Sequence, residues 1–218
     1  NEENKEAFIS SYFDNKNLKF LLLTGNYTFN LLFTSFVVIA LVLFGYYPIA
    51  GELGLAASFW ITLTQIFSSN MRSIIISESN VGYAFITMIY RLVFSVLIFI
   101  SLYFLLPKLI NFENFSLIIA FSILILMQWV FEMYLVISEV KKKYFVFKFL
   151  TVINLITALA TIVLVYFSQF EYLVYLISAY ILILLTIGIL NYFIMKLNFI
   201  DLNLKSILKL NIKTIAFL

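Results

Sequence analysis

Charged residues inside apolar sequence are the first sign of chemistry in this chain. Arg91 and Glu132 each interrupt a long apolar run, and Arg72 lies near the end of another. A charge at the middle of a membrane helix costs at least ~2.5–3.5 kcal/mol, so such side chains usually face a charged partner or a water-filled cavity. These residues therefore predict either a buried ion pair or an inward-open cavity whose walls bind an anionic head group.

Several kinds of catalysis are excluded by what the sequence lacks. The 218 residues contain no cysteine and no histidine, which rules out thiolate or imidazole metal ligands and any Cys–His or Ser–His pair within them. The sequence also lacks a glycine-rich phosphate-binding loop. We expect a transporter rather than an enzyme, with no cofactor, no metal and no nucleic-acid partner.

The elements that must position these residues are membrane helices. The chain is 64% hydrophobic and 11% charged, with a mean hydropathy of +1.07, which is typical of multi-pass membrane proteins. Segments of roughly 20 apolar residues can cross the hydrocarbon, and they must be helical because open strands leave backbone groups unpaired in lipid. Six spans are predicted, at 29–49, 53–76, 84–106, 115–138, 146–168 and 173–195.

The predicted fold is therefore an all-α, six-transmembrane-helix bundle, or lobe, over residues 29–195. Residues 1–28 are expected to form a cytoplasmic or interfacial segment. Within residues 196–218, Lys205, Lys209 and Lys213 recur every four residues and predict a basic amphipathic connector to a second lobe, although a solvated connector fits the pattern equally well. The breaks between spans contain Pro, Gly, Ser or charged residues and lie at 48–52, 78–82, 107–108, 139–143 and 168–171.

The basic residues predict the orientation. If the N-terminus is cytoplasmic, six spans place the C-terminus there too. Of the 14 basic residues, twelve then lie on the inner face, Lys108 lies on the outer face and Arg91 lies within a span. This bias follows the positive-inside rule and predicts a multi-pass protein of the cell inner membrane. The twelve inner residues are Lys5, Lys16, Lys19, Arg72, Lys141, Lys142, Lys143, Lys148, Lys196, Lys205, Lys209 and Lys213.

Polar side chains recur at helical spacing within the spans. Hydroxyl groups alone are typical of helix packing, so the amides and charges are the better candidates for a site. Arg91 and Glu132 lie at a similar depth, roughly 10 Å inside the cytoplasmic boundary at 1.5 Å per residue, with Arg72 slightly shallower. The polar residues that share faces with these candidates are Ser58, Thr62, Gln65 and Ser69 before Arg72, Thr87 and Ser95 around Arg91, Gln128 and Glu139 around Glu132, and Thr151, Asn154 and Thr161 in the fifth span.

Three stretches carry a resemblance to a known family. Residues 24–36 read TGNYTFNLLFTSF, residues 48–77 join a glycine-containing turn to a helix of small and polar residues, and Trp129 is followed by EVKKKY at 139–144. Together they resemble the polysaccharide or O-antigen flippases of the multidrug/oligosaccharidyl-lipid/polysaccharide exporter superfamily, in the N-terminal half. The likeness is one of helix lengths, loop charges and a few residues over most of 20–200.

The resemblance implies a function and roles for the candidate residues. It implies one six-helix lobe of a transporter that flips a polyprenyl-diphosphate-linked oligosaccharide for surface polysaccharide biosynthesis. The partner would be a second lobe, either in a longer chain, which we expect, or in a homodimer. Arg72 and Arg91 would receive the diphosphate, and Glu132 would couple an ion or gate the cavity. Hydrogen bonds to the sugar or head group would come from Gln65, Gln128 and Asn154.

Three alternatives remain open. The chain could be the membrane subunit of an ATP-driven polysaccharide exporter, which would need a partner ATPase. It could be a cation-coupled multidrug extruder, with Glu132 as the carboxylate. A membrane glycan polymerase or ligase fits less well, because such enzymes tend to need a large outer loop and every predicted outer loop here is short.

Overall fold

The structure, a computed structural model, describes residues 16–68, 71–79, 81–109 and 114–195. These residues form seven helices and no strand, which confirms the all-α prediction. The helices are α1 (Lys16–Leu43), α2 (Tyr47–Ser68), α3 (Met71–Glu78), α4 (Val81–Leu109), α5 (Phe115–Val140), α6 (Tyr144–Tyr166) and α7 (Phe170–Met195).

Six of the described helices are long and apolar enough to cross a membrane, and only the eight-residue α3 is too short. The chain is therefore a multi-pass membrane protein built as a six-helix bundle, as predicted. Except at its ends, an α-helix satisfies its backbone hydrogen bonds internally, which is the condition for lying in hydrocarbon.

The first helix differs from the predicted span 29–49. It begins at Lys16, within the segment predicted to precede the bundle, and ends at Leu43. Gly45 ends it, with a φ of 85° that suits glycine. The N–H of Tyr46 bonds to the carbonyl of Leu41 (2.9 Å), and the N–H of Gly45 bonds to that of Val42 (3.1 Å), a Schellman motif.

The predicted break at 48–52 is therefore misplaced. Pro48 lies in the first turn of α2, where a missing N–H costs nothing because the first-turn donors have no partner within the helix. Proline at this point starts a helix instead of interrupting one.

The second predicted span, 53–76, is covered by two described helices, α2 (Tyr47–Ser68) and α3 (Met71–Glu78). Residues 69 and 70, between them, lie outside the described residues. Gln65 therefore belongs to α2 and Arg72 to α3. Ser68 donates its hydroxyl to the carbonyl of Thr64 (2.6 Å).

The remaining predicted breaks have mixed outcomes. Lys142 and Ser168 both have a φ of 56° and lie in the turns after α5 and α6, which confirms the breaks at 139–143 and 168–171. Ser79 (φ 51°) follows α3, in agreement with the break at 78–82. α4 continues through Pro107 to Leu109, so the predicted break at 107–108 lies within a helix. The predicted connector 196–218 lies outside the described residues.

Helix α5 is the centre of the bundle. In its most apolar stretch 67% of residues are buried, against 28–33% in the other five membrane-length helices, and it packs against every other helix in the described part of the chain. Phe121, Leu124 and Met133 are fully buried along it. Polar groups on α5 therefore lie among protein and not against lipid.

Candidate functional site

A cavity of about 470 Å³ opens between α1, α2, α3 and α5. Most of its residues on α2 and α5 belong to the second halves of those helices, which the predicted topology places toward the cytoplasm. Four of the six predicted site residues line it: Gln65, Arg72, Gln128 and Glu132. The other lining residues are Thr24, Tyr27, Thr28, Asn30, Leu31, Thr34, Ile61, Thr64, Ser68, Ile125 and Trp129.

A charged cluster of Tyr27, Arg72 and Glu139 lies where α3 meets the cavity. The guanidinium carbon of Arg72 lies 3.6 Å from the centre of the Tyr27 ring, and Arg72 Nη2 is 3.7 Å from Glu139 Oε2. The Tyr27 hydroxyl donates to the same oxygen at 2.9 Å. The side chain of Arg72 is 41% exposed, so part of its guanidinium stays open to an anion.

Arg91 lies behind the cavity wall rather than in it. Its Nη1 donates to Glu132 Oε2 and to the backbone carbonyl of Trp129, both at 2.7 Å. The Arg91 side chain is 2% exposed, and that of Glu132 is 29% exposed. The ion pair that the sequence allowed is thus present, and Glu132 stands between Arg91 and the cavity.

Trp129 links this ion pair to the end of α2. Its indole Nε1 donates to Ser68 Oγ at 2.6 Å, and the Arg91 guanidinium carbon lies 5.0 Å from the centre of the Trp129 rings. Three helices, α2, α4 and α5, therefore meet through one tryptophan. These contacts of Trp129 fix the positions of Arg91 and Glu132 beside the cavity wall.

Two amide side chains, Asn30 on α1 and Gln128 on α5, meet at the wall of the cavity. Asn30 Nδ2 donates to the backbone carbonyl of Gln128 at 3.0 Å. We call these two residues the amide pair. Gln65, the third amide of the cavity, is exposed on α2.

Asn154 lies apart from the cavity, in a closed network between α1, α6 and α7. Its Nδ2 donates to Asn26 Oδ1 at 3.1 Å, and its Oδ1 accepts from the Tyr180 hydroxyl at 2.9 Å. Asn26 Nδ2 in turn donates to the hydroxyl of Thr151 (2.8 Å) and the carbonyl of Phe147 (2.9 Å). All of these atoms bond to protein, so Asn154 links α6 to α1 and α7.

Two important residues were missed by the sequence reasoning, Asn26 and Tyr27. Both lie before the predicted start of the first span at residue 29. A signal existed, since Asn26, Asn30 and Thr34 are spaced by four residues and share a helix face. A predicted first span that began further toward the N-terminus would have included Asn26 and Tyr27.

The hydroxyl groups of the polar stripes mostly bond within their own helices. Thr62 donates to the carbonyl of Ser58 (2.7 Å), Thr87 to that of Tyr83 (2.8 Å) and Thr161 to that of Thr157 (2.8 Å). Such bonds satisfy a hydroxyl in lipid without a partner helix, so these residues need no ligand.

Comparison with known proteins adds no relative: no family matches the chain, and neither a curated protein nor a solved structure matches it.

Proposed function

We propose that this chain is one lobe of a membrane transporter that moves a polyprenyl-diphosphate-linked oligosaccharide from the inner to the outer leaflet of the cell inner membrane. The observation that carries the proposal is a cavity lined mostly by polar residues within a bundle of apolar helices. A volume of about 470 Å³ falls within the roughly 300–1,000 Å³ typical of small-molecule sites. It would take the part of a head group next to the lipid.

Arg72 is the residue that would receive phosphate. Among the described residues that line the cavity it is the one with a positive charge, and its contact with Glu139 is loose at 3.7 Å. Arg91, which the resemblance also implied as a phosphate ligand, is buried against Glu132. Its role in the proposal is therefore to position Glu132.

The exposed surface around the cavity supports a second lobe. Thr24, Thr28 and Gln65 line the cavity and are exposed on α1 and α2. An exposed amide within a membrane span is unfavourable against lipid tails, which offer it no hydrogen bonds. This face therefore suits contact with water and with a facing lobe that completes the site.

The pairing of Glu132 favours this proposal over a cation-coupled multidrug extruder. A coupling carboxylate must bind its ion or proton reversibly, whereas Glu132 is held by the Arg91 guanidinium at 2.7 Å. A charge-assisted contact of this length is among the stronger hydrogen bonds in proteins.

Replacement of Arg72 by alanine in the native gene tests the proposal. A charge-assisted hydrogen bond contributes ~1.5–3 kcal/mol, so Arg72→Ala should reduce affinity for the head group roughly ten- to hundred-fold. We expect surface glycan to fall and the lipid-linked precursor to accumulate on the inner leaflet. Both are measured by labelling glycan on intact cells and on inverted membrane vesicles.

Two further variants control this experiment. Lys141→Ala removes a positive charge from an exposed turn at the same side of the membrane but away from the cavity, and export should continue. Arg72→Lys should keep part of the activity, since the charge remains but the planar fork is lost. Wild-type export by Arg72→Ala, with normal protein levels, would contradict the proposed role.

A further inference from the structure

The amide pair has hydrogen-bonding capacity that the protein does not use. Asn30 Oδ1 and Gln128 Nε2 are both buried and have no hydrogen-bond partner within the part of the chain that the structure describes. Gln128 is only 5% exposed. Both side chains also line the cavity, so rotation about their terminal torsions would bring one spare acceptor and one spare donor to a ligand there.

Unpaired buried amide groups are unfavourable, and more so in a membrane, where no bulk water can reach them. The closed network shows that the bundle can satisfy amides fully when they serve packing, since Asn154 uses both its oxygen and its nitrogen. The terminal torsion of glutamine is broad. A small rotation of Gln128 would therefore present its N–H to the cavity.

The combination of one acceptor and one donor identifies the chemistry of the ligand. A hydroxyl group both donates and accepts, so it could bond to Asn30 Oδ1 and Gln128 Nε2 at once. A phosphate or carboxylate oxygen would match the donor but oppose the acceptor. An ammonium group would match the acceptor alone.

The surrounding charges point the same way. Of the charges that the structure describes near the cavity, Arg91 is paired with Glu132 and Arg72 with Glu139. The charged cluster contains Tyr27, and Asn30 lies three residues further along α1, roughly 4.5 Å deeper at 1.5 Å per residue. Asn30 is therefore further along α1 than Tyr27, the residue whose ring lies under Arg72.

We propose that Asn30 and Gln128 form a subsite for a hydroxyl group of an uncharged sugar head group, distinct from the charged cluster. The proposal rests on the proposed function, because it assigns the saccharide part of the same ligand to one end of the cavity. The amide pair would then select the saccharide, and Arg72 would bind the negatively charged part of the head group.

Retention of a sugar-bearing lipid by the protein tests whether the amide pair binds a sugar hydroxyl. The full chain is placed in phosphatidylcholine nanodiscs that contain equal fractions of glucosyl diacylglycerol and phosphatidylglycerol, and the lipids that stay bound after release are counted by native mass spectrometry. We expect the wild type to retain glucosyl diacylglycerol over phosphatidylcholine. Gln128→Leu and Asn30→Leu should each lower that retention roughly ten-fold, as the loss of one or two hydrogen bonds implies.

Gln169→Leu is the matched control, because it removes the same amide from an exposed turn that does not line the cavity. Its retention should stay within about two-fold of the wild type. Equal losses in Gln169→Leu and Gln128→Leu would overturn the subsite, since they would show that the loss does not depend on the cavity. If the wild type retained phosphatidylglycerol but not glucosyl diacylglycerol, the proposal of an uncharged sugar ligand would be wrong.

Thermal unfolding separates binding from packing. If the pair served packing only, Asn30→Leu would lower the unfolding temperature and leave lipid retention unchanged, which would overturn the proposal. The export experiment keeps the two proposals apart. Normal retention by the leucine variants with export lost in Arg72→Ala removes only the subsite. Lost retention with normal export in Arg72→Ala removes only the phosphate role.

Discussion

Two neighbouring residues of α1 belong to two different polar regions. Asn26 is 2% exposed and joins the closed network with Asn154, Tyr180 and Thr151. Tyr27 belongs to the charged cluster and lines the cavity. One step along a helix turns the side chain by about 100°. This is enough to place Asn26 among fully hydrogen-bonded side chains and Tyr27 at a cavity where some polar atoms are unpaired.

The difference shows how to distinguish structural polarity from functional polarity in a membrane bundle. In the closed network the amide of Asn154 bonds to two side chains, and no atom of Asn26 or Asn154 is left unpaired. At the cavity, Asn30 and Gln128 each keep one unpaired atom, and the charges occur in pairs that are partly exposed. Mutations should therefore change stability in the first region and ligand binding in the second.

The largest effect on stability is expected for the Arg91–Glu132 ion pair. Arg91 is buried among protein, whereas Glu132 is partly exposed toward the cavity. Glu132→Ala leaves Arg91 buried without its counter-charge, which typically costs ~3–5 kcal/mol. Arg91→Ala should cost less, because Glu132 is 29% exposed toward the cavity. Unfolding in detergent micelles, followed by tryptophan fluorescence, gives the order of the two variants.

The double variant Arg91→Ala/Glu132→Ala tests the reason for that order. It should be more stable than Glu132→Ala, because no unpaired charge stays buried. Glu132→Gln keeps an acceptor for Arg91 and should fall between the wild type and Glu132→Ala. A double variant no more stable than Glu132→Ala would show that packing, and not charge, determines the loss.

An intermediate effect is expected in the closed network. Asn154→Leu leaves Asn26 Oδ1 and the Tyr180 hydroxyl without this partner, at a cost of ~1–3 kcal/mol. Gln65→Leu, the same change at the exposed cavity wall, should alter stability by less than ~0.5 kcal/mol. Chemical unfolding compares the two, and equal losses would remove the distinction between the regions.

The smallest effect on stability is expected in the charged cluster. Glu139→Gln weakens a contact of 3.7 Å with an arginine that is 41% exposed, so it should cost less than ~1 kcal/mol. Binding should change in the opposite direction, since Arg72 loses its competing carboxylate. Retention of phosphatidylglycerol in nanodiscs should therefore rise, and a fall would show that Glu139 holds Arg72 in place for binding.

The sequence alone determined the class of fold. Apolar runs long enough to cross a bilayer can only be helices there, so six spans followed from composition and length. The same argument identified Arg91 and Glu132 as residues that need a partner. It also identified Gln65, Arg72, Gln128 and Glu132 as polar groups in the membrane, all of which line one cavity.

Only the tertiary structure decided which of these groups meet. Helical spacing gives the face on which a residue lies but not which helix that face touches. The sequence therefore grouped Asn154 with the cavity residues, whereas the structure places it against Asn26 and Tyr180. The sequence placed Arg72 on the face of Gln65, but only the structure shows that its guanidinium lies over the Tyr27 ring of α1. Hydrogen bonds and ion pairs act over about 3–4 Å, a range that only the packing of helices against one another can fix.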